Sequence, residues 1–311
     1  MREFAEAPYH PEDFPALAVD MFSGSLVAIV TPMLANGEID RAAWLRLLDF
    51  HLDNGTTGII VGGTTGESAT LLESELRELT STAVEHVAGR MKVIAGAGTS
   101  STAETVARVR WLSALGVDGL LIVTPAYVKP TQDGLVRHYT AAAEASSVPI
   151  LLYNVPGRTA VDLLPPTVAR LATVSNIVAL KEAVGDIERV RELLRLAPSI
   201  ALLSGDDASC REAVLAGAKG VISVTANVAP REMADMIAAA LEGDATRAGR
   251  IDARLTGLHE NLFVEANPIP VKWVLARMGL MEEGIRLPLT PLSSRFHSRV
   301  RSAMERAGLS G

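Results

Sequence analysis

Residues 177–181, Ile177-Val178-Ala179-Leu180-Lys181, form a short apolar run that ends on a lysine. The next such run, Ala201–Ser204, follows after a segment of helical length. Both runs are apolar on successive residues rather than on alternate ones. That pattern fits strands covered on both faces. A strand, a helix and a second strand make the repeating unit of parallel α/β folds.

The unit recurs on both sides. The other runs are Leu26–Thr31, Thr57–Val61, Lys92–Ala95, Leu120–Val123, Ile150–Tyr153 and Gly220–Ser223, which brings the total to eight. They recur about every 20 to 35 residues, the length of one strand–helix unit. Asp40 can cap a helix carrying Leu45, Leu48 and Leu52, stopped by Gly55. A second helix carries Leu72, Leu76, Leu79, Ala83 and Val87 and stops at Gly89, and Gly217 suits the end of the seventh. Eight alternating units predict an α/β protein of the (β/α)8 TIM-barrel type. A doubly wound open sheet is the competitor, but it usually has fewer strands and a phosphate-binding turn. Leu255, Leu258, Leu262, Pro268–Met278 and 295–307 suggest further helices. The expected organisation is a flexible extension (1–20), a catalytic barrel (21–241) and a C-terminal helical module (242–311).

Composition narrows the function. The 311 residues are 48% hydrophobic with a net charge of −7, so a large core can form and no basic nucleic-acid footprint exists. A single cysteine, Cys210, excludes a disulfide framework and a multi-cysteine zinc site. The six histidines are scattered, and no metal is expected. No apolar stretch reaches membrane-spanning length, and the acidic N-terminus lacks the apolar segment of a secretory signal. A soluble, cytoplasmic protein is expected. Gly96-Ala97-Gly98 lacks the third glycine of a dinucleotide fingerprint, and His259-Glu260 lacks the second histidine of a metalloprotease.

In such barrels the chemistry sits at the C-terminal ends of the strands. Lys181 is the sharpest signal there, because only five of the 29 basic residues are lysines. A buried ammonium is costly, and a lysine amine held neutral attacks carbonyls and forms Schiff bases. The competing reading is a lysine that reaches the rim or pairs with Glu182. Tyr153 ends the preceding strand and could relay protons; alternatively it is a barrel-layer aromatic. The Gly62–Ser68 loop offers N–H groups and two hydroxyls to a carboxylate or phosphate, or it is a tight turn whose Ser or Thr caps a helix. Arg158 could clamp a carboxylate, or stand exposed. Asp206-Asp207 could bind a divalent ion, although a structural role at the rim suits them better.

Gly63-Thr64-Thr65-Gly66-Glu67, Tyr153-Asn154-Val155-Pro156 and Lys181-Glu182, in that order, resemble the pyruvate-dependent class I aldolase or N-acetylneuraminate lyase superfamily. Within it the likeness is to the 4-hydroxy-tetrahydrodipicolinate synthase (dihydrodipicolinate synthase) family. It extends from Met21 to Leu309 and includes Leu26–Met33, Gly205–Ala208, Gly220–Asn227 and Phe263–Trp273. The resemblance implies a mechanism without cofactor, through a covalent imine of Lys181 with pyruvate. Thr64 and Thr65 would hold the pyruvate carboxylate, and Gly205 and the backbone near Ile222 would line its pocket. Tyr153, Thr64 and Tyr127 would form a proton relay, with Tyr127 supplied by a neighbouring subunit. Arg158 would bind the carboxylate of L-aspartate 4-semialdehyde, and the Gly157-Arg158-Thr159 stretch separates synthases from sugar-acid aldolases. The resemblance further implies a homotetramer, a dimer of dimers, serving lysine and diaminopimelate biosynthesis. Ser68, Ala69 and Glu104 match positions where L-lysine binds regulated relatives, but Glu73, Leu76 and Ala126 depart from that pattern. Weak or absent lysine inhibition is expected. The alternatives are another pyruvate aldolase, acting on a sugar acid or hydroxy-oxoacid, and a non-catalytic ligand-binding barrel.

Overall fold

A computed structural model describes residues 21–310; the extension expected over 1–20 lies outside the described residues. Eight parallel strands close into a barrel in sequence order. They are β1 (Gly24–Ala28), β2 (Gly58–Val61), β3 (Lys92–Gly96), β4 (Gly119–Val123), β5 (Ile150–Asn154), β6 (Ile177–Glu182), β7 (Ala201–Ser204) and β8 (Gly220–Ser223). β8 pairs back onto β1, so the sheet has no free edge. At this seam a Cβ on Gly220 would lie 2.1 Å from the Gly24 carbonyl oxygen, a contact that only glycine permits.

One main helix follows each strand, preceded after β5 by the short helical turn Pro156–Thr159: α1 (Arg41–Asp53), α2 (Glu73–Val87), α3 (Thr102–Ser113), α4 (Gln132–Glu144), α5 (Pro165–Leu171), α6 (Ile187–Leu196), α7 (Cys210–Leu215) and α8 (Pro230–Leu241). Asp40 caps α1 by accepting from the Ala43 N–H at 2.9 Å. Ser101, Thr131 and Asp186 cap α3, α4 and α6 in the same way. Three more helices, α9 (Ala245–Asn261), α10 (Ile269–Arg277) and α11 (Ser294–Arg306), complete the chain. α9 packs on α8 and α7, and α10 packs on the 3-10 turn Thr225–Asn227 at the end of β8. Trp273 of α10 stacks on His297 of α11 at 4.8 Å.

Burial divides the apolar residues into two clusters, one filling the barrel and one lying between barrel and helices. Alternation along each strand sends neighbours to opposite clusters. In β6 this phase is reset by a bulge. Ile150 pairs with Ile177, but Leu151 pairs with Ala179, leaving Val178 as an extra residue. Val178 and Ala179 both join the interior cluster, whereas Ile177 and Leu180 face the helices. Unbroken alternation from Ile177 would have turned Lys181 outward.

Two sequence expectations shift. β1 ends at Ala28, not at Thr31. There the Asn227 side chain replaces strand pairing: its Oδ1 accepts from the Val30 N–H at 3.0 Å and its Nδ2 donates to the Ala28 carbonyl at 2.9 Å. Leu72 lies outside α2 and is exposed, because the Glu75 carboxylate accepts its N–H at 2.8 Å and marks the helix start.

Candidate active site

Tyr153 and Lys181 are register partners at the ends of β5 and β6, so their side chains leave the sheet on the same side. Tyr153 belongs to the interior cluster. Lys181 is 5% exposed, and its Nζ stands 4.4 Å from the Tyr153 ring centroid.

The reading in which Lys181 pairs with Glu182 does not hold. Glu182 points to the helix side, where its carboxylate accepts from Arg189 Nε at 2.9 Å, from Asn154 Nδ2 at 3.1 Å and from the Val184 N–H at 3.0 Å. Arg189 also bridges to Asp162 at 2.8 Å. Burial raises the Glu182 carboxyl above its ordinary range, and Arg189 opposes that shift. Lys181 has no carboxylate within ion-pair distance among the described residues.

Gly205 lies beneath the lysine stem. A Cβ there would fall 2.9 Å from Lys181 Cε and 2.8 Å from Ala183 Cβ. The absence of a side chain at Gly205 is therefore what gives Lys181 its path. Ile222 is buried in the barrel interior on β8.

The Gly62–Leu72 segment is an irregular loop, and α2 begins only at Glu73. Neither Ser68 nor either threonine caps that helix, so the tight-turn reading fails. Thr65 is buried and its Oγ1 accepts from Asn267 Nδ2 at 2.9 Å. Thr64 lines a cleft of about 350 Å³, together with Val123, Val155, Arg158 and Asn267. Val123 pairs with Tyr153 across β4 and β5, so the cleft wall and the tyrosine share one layer of the rim. Arg158 stands on the helical turn Pro156–Thr159 and donates to the Asn267 carbonyl at 3.2 Å. The cleft thus has hydroxyls on one wall and a guanidinium on another, a set suited to two carboxylates.

Not every residue singled out in the sequence converges here. Tyr127 is 91% exposed and has φ 73°, a left-handed backbone that is unusual for an aromatic residue. Its N–H donates to the Thr159 carbonyl at 3.3 Å, so its backbone touches the Arg158 turn while its ring faces away from the chain. Ser68 and Ala69 line the cleft, whereas Glu104 is exposed on α3. Asp207 has a structural role, accepting from the Val224 and Thr225 N–H groups, and Asp206 accepts from Ser209. Among the described residues no cluster of carboxylates, histidines and cysteines could hold a metal ion. No helix among them is long and apolar enough to cross a membrane.

Sequence reasoning missed the residues behind the loop. Glu67 is buried and pairs with Lys272 of α10. The Arg286 N–H donates to the same carboxylate at 3.2 Å, and its guanidinium reaches Glu75 at 2.6 Å and the Thr70 carbonyl at 2.8 Å. The available signal was Lys272 itself, a rare lysine inside an apolar helix.

The chain is similar to known proteins over nearly its whole described length. Residues 21–307 match the Dihydrodipicolinate synthetase family. The 4-hydroxy-tetrahydrodipicolinate synthase of Thioalkalivibrio sulfidiphilus is 55% identical over 290 residues, 93% of this chain and 99% of that protein. The structure of the chloride-inhibited dihydrodipicolinate synthase of Acinetobacter baumannii in complex with pyruvate superposes with TM-score 0.91. It is 45% identical and covers 92% of this chain and 99% of that one. The enzyme of Cyanidioschyzon merolae with lysine bound gives 0.90 at 41% identity, covering 93% and 99%. With the barrel, the buried lysine at the end of β6 and a match over nearly the whole described chain in agreement, this chain belongs to the dihydrodipicolinate synthetase family.

Proposed function

We propose that this protein condenses pyruvate with L-aspartate 4-semialdehyde to 4-hydroxy-tetrahydrodipicolinate, a step of lysine biosynthesis. The observation that carries the mechanism is Lys181: buried at the barrel mouth, seated on Tyr153, and without a carboxylate partner among the described residues.

The Lys181 amine adds to the pyruvate ketone carbon, and loss of water gives the imine. Thr64 and Thr65 orient the pyruvate carboxylate, with Gly205 and Ile222 lining the pocket. Loss of a methyl proton then gives the enamine. The enamine carbon bonds to the aldehyde carbon of the semialdehyde, whose oxygen takes up a proton. The semialdehyde's own amino group then attacks the imine carbon, closing the ring and expelling the Lys181 amine. No cofactor is needed, since the imine serves as the electron sink.

We read Tyr153, whose ring lies beside the Lys181 amine, as the residue that passes protons there, with Thr64 extending the relay. Tyr127 serves only if a second subunit brings it to a neighbour's cleft, which fits its exposed ring and constrained backbone. We therefore read the active form as a homo-oligomer, a tetramer built as a dimer of dimers. Arg158 selects the second substrate by its carboxylate. Ser68 and Ala69 border the cleft, but Leu76 is buried in the core and Glu73 is engaged with Arg77, so L-lysine inhibits weakly or not at all.

The test is condensation of pyruvate with L-aspartate 4-semialdehyde by the purified protein, beside cleavage of N-acetylneuraminate and 2-keto-3-deoxygluconate. Turnover with the semialdehyde alone is expected. Turnover with a sugar acid alone would move the chain to the aldolase branch and Arg158 to another role.

A further inference from the structure

We propose that Lys272 is a positioning residue for pyruvate: by holding Glu67, it fixes the Thr64–Thr65 loop on which the pyruvate carboxylate is bound. The inference deepens the function proposed above and rests on that reading of the loop.

Within the barrel, the loop after β2 is tethered chiefly by Thr31, whose Oγ1 donates to the Gly66 carbonyl at 2.7 Å. The rest of its anchorage comes from far along the chain. Asn267 reaches Thr65, Lys272 reaches Glu67, and Arg286 reaches Glu67 and Thr70, across sequence separations of 202 to 219 residues. Glu67 is the pivot. It has φ 57°, a left-handed backbone in a non-glycine residue, and its side chain has no exposed surface. Its N–H donates to the Thr64 carbonyl at 3.1 Å, so the strained residue and the Thr64 hydroxyl share one turn.

Strain of this kind persists only when the surroundings over-determine it. Here the over-determination is electrostatic: the Glu67 carboxylate can stay buried because Lys272 and the Arg286 N–H satisfy it. Burial lowers the Lys272 pKa below the ordinary lysine value, and Glu67 opposes that shift without cancelling it. Removing the ammonium leaves a buried carboxylate that must find water or a proton. Either outcome rotates the Glu67 backbone and carries Thr64 and Thr65 with it. The C-terminal helices are therefore part of the pyruvate site, although none of them contributes a group to the reacting atoms.

The test is steady-state kinetics of Lys272→Met, Glu67→Gln and the double variant, with half-saturation of borohydride trapping by pyruvate alone. Lys272→Met should raise the pyruvate KM about tenfold or more, and kcat should fall with it because the displaced loop also carries Thr64 of the relay. The semialdehyde KM should not move. The double variant removes both charges, and its pyruvate KM should return toward wild type. A purely cementing ion pair would lower Tm and leave the pyruvate KM and kcat unchanged. An unchanged pyruvate KM in folded Lys272→Met overturns the proposal. If Lys272→Met does not fold, Glu67→Gln decides, since it keeps the side chain's shape; an unchanged pyruvate KM there is equally fatal. Trapping needs no second substrate, so a wild type inert toward the semialdehyde would sink the proposed function while the trapping series still judges Lys272.

Discussion

Replacing Arg189 by methionine tests whether Glu182, the outward neighbour of Lys181, is a buried charge held by that arginine. Glu182 ends β6, and its side chain is 2% exposed. Arg189, itself 13% exposed, provides its countercharge and also ties Asp162 and the Leu163 carbonyl. Methionine keeps the length of the stem but leaves the Glu182 carboxylate buried with only Asn154 and the Val184 N–H. Breaking a buried pair in this way costs about 3–5 kcal/mol. For a chain of 311 residues that is about 5–8 °C in Tm. The loss carries a pH signature. Burial already raises the Glu182 carboxyl, and removal of Arg189 raises it further. A raised carboxyl means the folded state holds its proton more tightly than the unfolded state does. Relative stability is therefore recovered as pH falls below the raised value toward the ordinary carboxyl range of the unfolded chain, and lost as pH rises through the raised value. Thermal melts of wild type and Arg189→Met at about pH 8 and about pH 5 should show the deficit shrinking at the lower pH. Adding Glu182→Gln should abolish most of the deficit at both. A deficit below about 2 °C, or one that is the same at both pH values, would refute the assignment of Glu182 as a buried charge that depends on Arg189.

Three other outcomes follow from the site. Arg158→Ala should raise the semialdehyde KM about 10- to 100-fold, the worth of a charge-assisted bond, while pyruvate trapping stays intact; initial-rate kinetics in each substrate check this. Gly205→Ala places a methyl 2.9 Å from Lys181 Cε and 2.8 Å from Ala183 Cβ, and should both depress imine formation and lower Tm, which trapping rates and melts measure together. Titration with L-lysine should leave most activity at millimolar concentrations, and half-maximal inhibition at submillimolar lysine would contradict the reading of Leu76 and Glu73.

The barrel was legible in the sequence because its strands are local apolar runs, and most run ends fall within a residue of the observed ones. β1 was misjudged because its last hydrogen bonds go to the side chain of Asn227, across 197 and 199 residues. Lys181 and Tyr153 could be placed at strand ends, but the bulge at Val178 that turns Lys181 inward could not be seen: it exists only in the pairing of β6 with β5. The competing Lys181–Glu182 pair was sensible for adjacent residues and failed because adjacent strand residues face opposite ways. Asn267, Lys272 and Arg286 escaped notice for a different reason. They serve the Thr64–Thr65 loop from the far end of the chain, where only Lys272, a rare lysine inside an apolar helix, carries any local signal. Tyr127 was found as a residue, but within a single chain it reaches no cleft.

Borohydride reduction in the presence of pyruvate, followed by peptide mapping, tests the central claim most directly. The account predicts one reduced adduct, on the peptide carrying Lys181, absent without pyruvate and lost in a Lys181→Ala variant that still folds. An adduct on any of the other four lysines, or full condensing activity in Lys181→Ala, would contradict it.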